Sequence, residues 1–449
     1  MRLSPASSAL VAVIAASSLL AVPAATAQQA GSTARPADQP PIAQAWIDIA
    51  TVASPGMPGG MAGMMMGGGG NSSLGAMLGG GKAQGNQFGL TQASGAGRYV
   101  DVTLRTRQNP NLAEAVQGVP AASQLAPTLQ LKVLPQARPV PETDVESVEP
   151  PAETPKGKIK LYWGCGTTVR PGQPKVLDFA TANLSQLGEI FKGRRATQRG
   201  AHAAPGRPVW PNPQDPRPVP AAASLAGEHT FTGQGVPENF KFTLPAAQDL
   251  MPAIALQQSQ ADGVTQLSWQ PLPTARAYFI AAMGGKGDDS GAAEMTLWTS
   301  SELPDSGMGL IDYQTNKSVD QWLKEKVLLP PSTTRCDVPK GIFGEGEQAG
   351  AMLRMIAYGT ELNLAHPPRP ADPKVAWKPD WGVKVRVKSV AMSMLGMPSM
   401  EGMDGSALED GTPGTDAAGT PASEEQPKKK RKFSMKDALD AVKDAVPVP

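Results

Sequence analysis

Apolar and polar residues alternate with a period of two in six stretches of the chain. In residues 45–51, Ile47 and Ile49 alternate with Trp46, Asp48 and Ala50. In residues 99–105, Val100, Val102 and Leu104 fall on one side and Asp101, Thr103 and Arg105 on the other. Leu129, Leu131 and Val133 alternate with Gln130 and Lys132, and Ile159, Leu161 and Trp163 with Lys158, Lys160 and Tyr162. Phe240, Phe242 and Leu244 repeat the pattern, and Val383, Val385 and Val387 stand against Lys384, Arg386 and Lys388. Strict alternation with one polar face predicts half-buried antiparallel strands, hence a mainly β protein. The cationic stripe of Lys384, Arg386 and Lys388 reads as protection of an edge strand against pairing with another chain.

Two stretches switch to the helical period. Residues 183–192 place Leu184, Leu187, Ile190 and Phe191 on one face, with Gly193 as the stop. Residues 318–328 open with Ser318 and Gln321 at capping-box spacing and turn Val319, Trp322 and Leu323 inward. Neither helix carries an obvious chemical group on its polar face.

The first 27 residues read differently. Arg2, the apolar residues 10–20 and the small-residue site Ala25-Thr26-Ala27 form a cleavable secretory signal, placing the mature start at Gln28. The apolar stretch is too short for a span, and no later one reaches the ~20 residues that spanning needs. No cysteine lies near the cleavage site, which argues against a lipid anchor there. The alanine-rich signal and its cleavage site point to bacterial export, to the periplasm or the cell exterior.

Glycine (48) and proline (45) concentrate in a few segments and so divide the chain. After the signal at 1–27, residues 28–41 read as a flexible N-terminus. Residues 42–134 read as an N-terminal β domain with a mobile Gly/Met loop at 55–97, whose glycine density opposes ordering. Residues 135–155 are a Pro/Glu linker, 156–262 a middle β-containing region, and 263–392 a sandwich. Residues 393–449 form a disordered tail ending in a basic cluster and a short amphipathic helix. The expected fold is therefore mainly β, with β-sandwich-like domains, short helices, the Gly/Met loop and the tail. Whether the two β regions pack together stays open.

Within 264–389, Leu267-Ser268-Trp269, Ala277-Tyr278-Phe279-Ile280, residues 353–357 and residues 383–388 resemble strands of a fibronectin type III-like β-sandwich. That resemblance implies adhesion, spacing or recognition, with no catalytic residues. The chain also resembles a group of uncharacterised exported proteins of Gram-negative bacteria, through YWGCG at 162–166, RPGQPKV at 170–176, SLAGEH at 224–229 and HPPRPADPK at 366–374.

The two cysteines, Cys165 and Cys336, read as a disulfide in an oxidising compartment. The three histidines, His202, His229 and His366, lie far apart and give no zinc spacing. No nucleophile elbow or phosphate loop is present. Glu228, Asp249, Asp288, Asp289 and Asp312 offer carboxylates for a hydrolase, but their spacing selects no pair.

The unusual signal is methionine. Ten of the nineteen fall in two clusters: Met57, Met61, Met64, Met65 and Met66, then Met392, Met394, Met397, Met400 and Met403 just past the last predicted strand. Thioethers are soft ligands that select Cu(I), and this spacing resembles that of periplasmic copper-handling proteins. The alternative is an adaptable apolar contact surface.

A net charge of +1 gives no case for nucleic-acid binding. Lys428, Lys429, Lys430, Arg431 and Lys432 form a surface contact candidate for anionic lipid, polysaccharide or an envelope protein. The sequence thus points to an exported, non-enzymatic envelope protein with a binding or structural role. The alternatives are periplasmic Cu(I) binding, with Cu(I) as the candidate cofactor, and hydrolysis of envelope polymers.

Overall fold

The computed structural model describes residues 38–55, 86–92, 95–135, 157–179, 181, 194, 199–287, 293–343, 350–372 and 374–395. They are mainly β. The strands are β1 (Ala43–Ala53), β2 (Gly97–Thr106), β3 (Glu114–Gly118), β4 (Thr128–Lys132), β5 (Gly157–Trp163) and β6 (Lys175–Asp178). Then come β7 (Val209–Trp210), β8 (Gly227–Thr232), β9 (Lys241–Leu244), β10 (Gln257–Ala261), β11 (Val264–Ser268) and β12 (Ala277–Gly287). β13 (Ala293–Thr299), β14 (Arg335–Val338), β15 (Ala351–Tyr358), β16 (Leu362–His366) and β17 (Trp381–Leu395) complete the set. All six alternating stretches of the sequence coincide with strands, Val133 and Phe240 falling one residue outside β4 and β9.

Fourteen strands share one sheet in the order β6-β5-β13-β12-β15-β17-β1-β2-β7-β4-β3-β8-β9, with β16 also paired to β17. β10, β11 and β14 make a second, three-stranded sheet. Phe240, next to β9, stacks on Trp381 of β17 with ring centroids 4.9 Å apart. Those two strands are seven places apart in the order, roughly 34 Å if the sheet were flat at ~4.8 Å per strand. The sheet therefore curls back on itself and encloses a core with Ile47, Val102, Val385, Phe231 and Phe240. Leu267, Trp269 and Val338 add the second sheet to that same core, and Trp269 meets Tyr278 edge-on at 5.6 Å.

β1 links the two β regions. It pairs antiparallel with β2 and parallel with β17, with Ile47 opposite Val385 and Asp48 opposite Arg386. Residues 42–134 and 263–392 thus share one sheet. This corrects the reading of β17 as an edge strand: β1 covers one side of it and β15 and β16 the other. Arg386 and Lys388 are 2 % and 0 % exposed. The polar second face of β1, β2 and β17 resembles a solvated face in sequence because its charges neutralise one another internally.

The helix α1 (Asn316–Lys324) covers that second face farther along, with Val319 and Trp322 in one cluster with Phe279, Ile356 and Val390. Its cap is Thr315, whose hydroxyl accepts from the Ser318 amide at 3.2 Å. The expected start at Ser318 is therefore late, because a threonine three residues upstream satisfies that amide. Asn316 grips Glu361, donating to its carbonyl at 2.8 Å and accepting from its amide at 2.9 Å. There β15 gives way to β16 through a bulge: Tyr358 pairs with Lys388 but Leu362 with Val385, four residues against three. The expected helix at 183–192 lies outside the described residues. Among the described residues no helix is long and apolar enough to cross a membrane.

Candidate functional site

The residues with the most distinctive chemistry meet on the second face of β1, β2 and β17. Strand register brings them there. Asp48 lies opposite Arg386 on one side and Asp101 on the other. Arg386 grips Asp48 with two nitrogens, Nε to Oδ1 at 2.7 Å and Nη2 to Oδ2 at 2.6 Å. The Ala201 amide donates to Asp48 Oδ2 at 2.9 Å. Two residues along β17, Lys388 Nζ donates to Asp312 Oδ1 at 2.7 Å. Tyr313 roofs both cations, its ring centre 4.4 Å from Arg386 Cζ and 4.1 Å from Lys388 Nζ. An aromatic face attracts cations, more strongly when water is excluded.

Asp101 holds a different partner set. Its carboxylate accepts from the Gly89 amide at 2.9 Å, the Thr91 amide at 3.3 Å and the Thr91 hydroxyl. It thereby anchors residues 89–91 to the sheet. Burial pushes its pKa up to about 7; the Thr91 and Gly89 donors work downward and the Asp48 charge upward. Burial also lowers the Lys388 ammonium, with Asp312 working against that shift. In Asp312 burial works upward, but Lys388 and Arg386 outweigh it and hold the carboxyl below its usual range. Tyr313 is raised well above an ordinary phenol, first by burial and then by Asp48.

Toward the start of β1 the layer ends at Trp46. Arg207 and Arg105 place their Cζ atoms 5.0 and 5.4 Å from its ring centre. His202 meets it edge-on at 6.1 Å. His202 Nδ1 donates to the Gly200 carbonyl at 2.8 Å, so Nε2 accepts from Arg207 Nη1 at 2.8 Å. Burial lowers the His202 pKa to about 4; the Gly200 bond opposes this and Arg207 adds to it.

At the opposite end of the same strands, two chain exits lie side by side. In the parallel pair Ala53 is opposite Ala391. The Ser393 hydroxyl donates to the Pro55 carbonyl at 3.1 Å. Pro55, just past β1, and Leu395, the last residue of β17, therefore lie at the same end of the sheet.

The structure distributes the residues singled out in sequence unevenly. Cys165 and Cys336 form the expected disulfide, which ties the loop after β5 to β14. Met392 and Met394 lie inside β17, which runs seven residues past the expected Lys388 end, and they are 0 % and 8 % exposed. Met57, Met61, Met64, Met65, Met66, Met397, Met400 and Met403 lie outside the described residues. So do Lys428, Lys429, Lys430, Arg431 and Lys432, and Asp288 and Asp289. Glu228 pairs with Lys241 at 2.6 Å at the surface. Asp249 accepts from the Leu225 and Leu250 amides, each at 2.7 Å. Asp312 belongs to the charge layer. His229 lies between the Gln117 amide at 3.1 Å and the Leu225 carbonyl at 2.8 Å, stacked on Phe242. His366 stacks on Trp381.

Sequence reasoning missed Asp48, Asp101 and Tyr313 as members of a site. The available signal was a charge at the same phase in three strands, Asp48, Asp101 and Arg386, which becomes informative once those strands are known to be neighbours. Among the described residues no group of three or more histidine, cysteine, aspartate or glutamate side chains is placed to hold a metal ion. Comparison of the chain with protein-family models, with curated proteins and with solved structures returned no match in any of the three.

Proposed function

We propose that this is an exported protein that does non-enzymatic binding or structural work at the cell envelope. The observation that carries the reading is the parallel β1–β17 pair, which brings Pro55 and Leu395, the described residues that adjoin 56–85 and 396–449 in sequence, to one end of a single sheet. Its charge layer supports a rigid base for them, because Asp48, Arg386, Asp312 and Lys388 bond to one another. The Cys165–Cys336 bond supports an oxidising compartment. In this role the two segments are the contact elements, and the partner is an envelope protein, a polysaccharide or an anionic membrane surface.

Photo-crosslinking from positions in 56–85 and 396–449, in cells that export the protein, tests the reading. Adducts with envelope components recovered from positions in both segments are expected. Exported protein that gives no adduct from any position in either segment would overturn it.

A further inference from the structure

The exit end of the sheet carries a second feature, which joins Met394 of the second sequence cluster to methionines that neither cluster contains. Met283 of β12 pairs directly with Met352 of β15, and Met352 pairs directly with Met394 of β17. Directly opposed residues project from the same face, so three thioethers stand in one row across three adjacent strands. Met295 joins them from β13: Gly285 is its direct partner and Met283 is opposite Leu297, two residues away on the same face.

The row differs from methionine used as filling. Met355 and Met392 are 0 % exposed and sit among aliphatic and aromatic core residues. Met352 and Met394 are each 8 % exposed, and Met283 and Met295 are half-buried at the margin of the Ile159–Leu161–Leu297 cluster. The row is thus buried at Met352 and Met394, half-buried at Met283, and set in apolar surroundings. Opposed Cβ atoms in a sheet lie about 5 Å apart, so the outer two Cβ atoms of the row are about 10 Å apart. The methionine arm has three rotatable bonds, which lets the outer sulfurs lean in toward the middle one.

Arg354 is the charge that opposes a cation here. It projects from the same face two residues from Met352 and is paired with Met392. Its electrostatic partners are Asp312 and Tyr358, and it acts on Lys388. Asp312 attracts the guanidinium, whereas Lys388 repels it.

We propose that Met283, Met352 and Met394 form a binding site for a soft monovalent cation, Cu(I) in the first instance. Neutral thioethers favour Cu(I) over hard divalent ions and need no deprotonation to bind. The site is independent of the contact role proposed for 56–85 and 396–449, and its test reads a different quantity.

The experiment is an anaerobic Cu(I) titration of the purified, disulfide-intact protein against a chromophoric Cu(I) chelator. Two variants accompany it. One carries Met283→Leu, Met352→Leu and Met394→Leu. The other replaces Met57, Met61, Met64, Met65, Met66, Met397, Met400 and Met403 with leucine. Leucine is close in volume to methionine, so both variants keep the fold, which thermal melts verify. The expected result is one Cu(I) held by the native protein, affinity at least tenfold weaker in the row variant, and affinity within threefold of native in the other. A native protein that takes no Cu(I), or a row variant that binds as the native protein does, would overturn the proposal.

Discussion

Asp48 and Arg386 lie 338 residues apart in sequence and meet through two hydrogen bonds of 2.7 and 2.6 Å across a parallel strand pair, both side chains at most 3 % exposed. Removing one partner strands the other charge in the core. Arg386→Met leaves Asp48 with the Ala201 amide, and Asp48→Asn takes from Arg386 the carboxylate that receives its bonds of 2.7 and 2.6 Å, leaving Asp312 as a nearby anion. Breaking a buried pair in this way costs about 3–5 kcal/mol, whereas replacing both partners with apolar residues is often neutral. Urea denaturation is expected to show a large loss in each single variant and recovery of most of it in Asp48→Leu/Arg386→Met. Equal losses in the single and double variants would mean that the charge pair itself contributes the stability.

Asp101 and His202 give the fold two opposed pH dependences. The Asp101 carboxyl ionises near pH 4 when unfolded but at about 7 in the fold. Its contribution is fully present below pH 4 and is lost as pH rises through 7. Three pH units correspond to on the order of 4 kcal/mol. His202 falls from 6.5 to about 4, so its contribution is present above pH 6.5 and is lost as pH falls through 4. Between pH 4 and 6.5 the two slopes cancel in part. Urea midpoints across pH 4–8 are expected to rise with pH more steeply in Asp101→Asn than in the native chain, and to fall more steeply in His202→Asn. Parallel profiles for all three proteins would contradict the assignment.

The alternation at Ile47, Val102, Leu161 and Val385 was enough to place β1, β2, β5 and β17, because each keeps one apolar face toward the core. It could not show that β1 runs parallel to β17. Strand period carries no information about neighbours, and Asp48 in a covered layer has the same phase as Asp48 facing water. The short strands β3, β6, β7 and β14 have two to five residues and, unlike β4 with Val133 and β9 with Phe240, carry no run of three large apolar residues at alternate positions. The methionine row escaped for the same reason: Met283, Met352 and Met394 are dispersed in sequence and only strand pairing aligns them. The disulfide was legible because two cysteines leave one intramolecular pairing.

That disulfide closes a loop with a sequence separation of 171. On the chain-entropy model such a loop stabilises by about 5 kcal/mol. It also holds β14 against the main sheet, where the Gly166 amide donates to the Asp337 carbonyl at 2.9 Å. Cys165→Ala/Cys336→Ala is expected to lower the urea midpoint substantially. Hydrogen exchange should localise the early opening to β10, β11 and β14. Exchange that instead accelerates uniformly over β1 and β17 would show that the second sheet does not open on its own.

Gly206 holds the loop that carries Arg207 over Trp46. Its φ is +69°, and a Cβ there would lie 1.8 Å from the Pro110 carbonyl oxygen. The left-handed backbone alone costs an alanine about 1–2 kcal/mol, and the overlap with rigid backbone forces the loop to move as well. Gly206→Ala is therefore expected to destabilise the fold by about 2–4 kcal/mol. It should also withdraw Arg207 from the His202 ring, where Arg207 Nη1 now donates to Nε2. With only three histidines in the chain, NMR titration can follow each ring. Once water reaches His202, its pKa should rise from about 4 toward 6.5, while His229, held by Gln117 and Leu225 in a separate part of the core, stays where it was. A destabilised variant whose His202 still titrates as in the native protein would show that burial by Trp46 and the sheet, rather than the Arg207 loop, keeps that imidazole neutral.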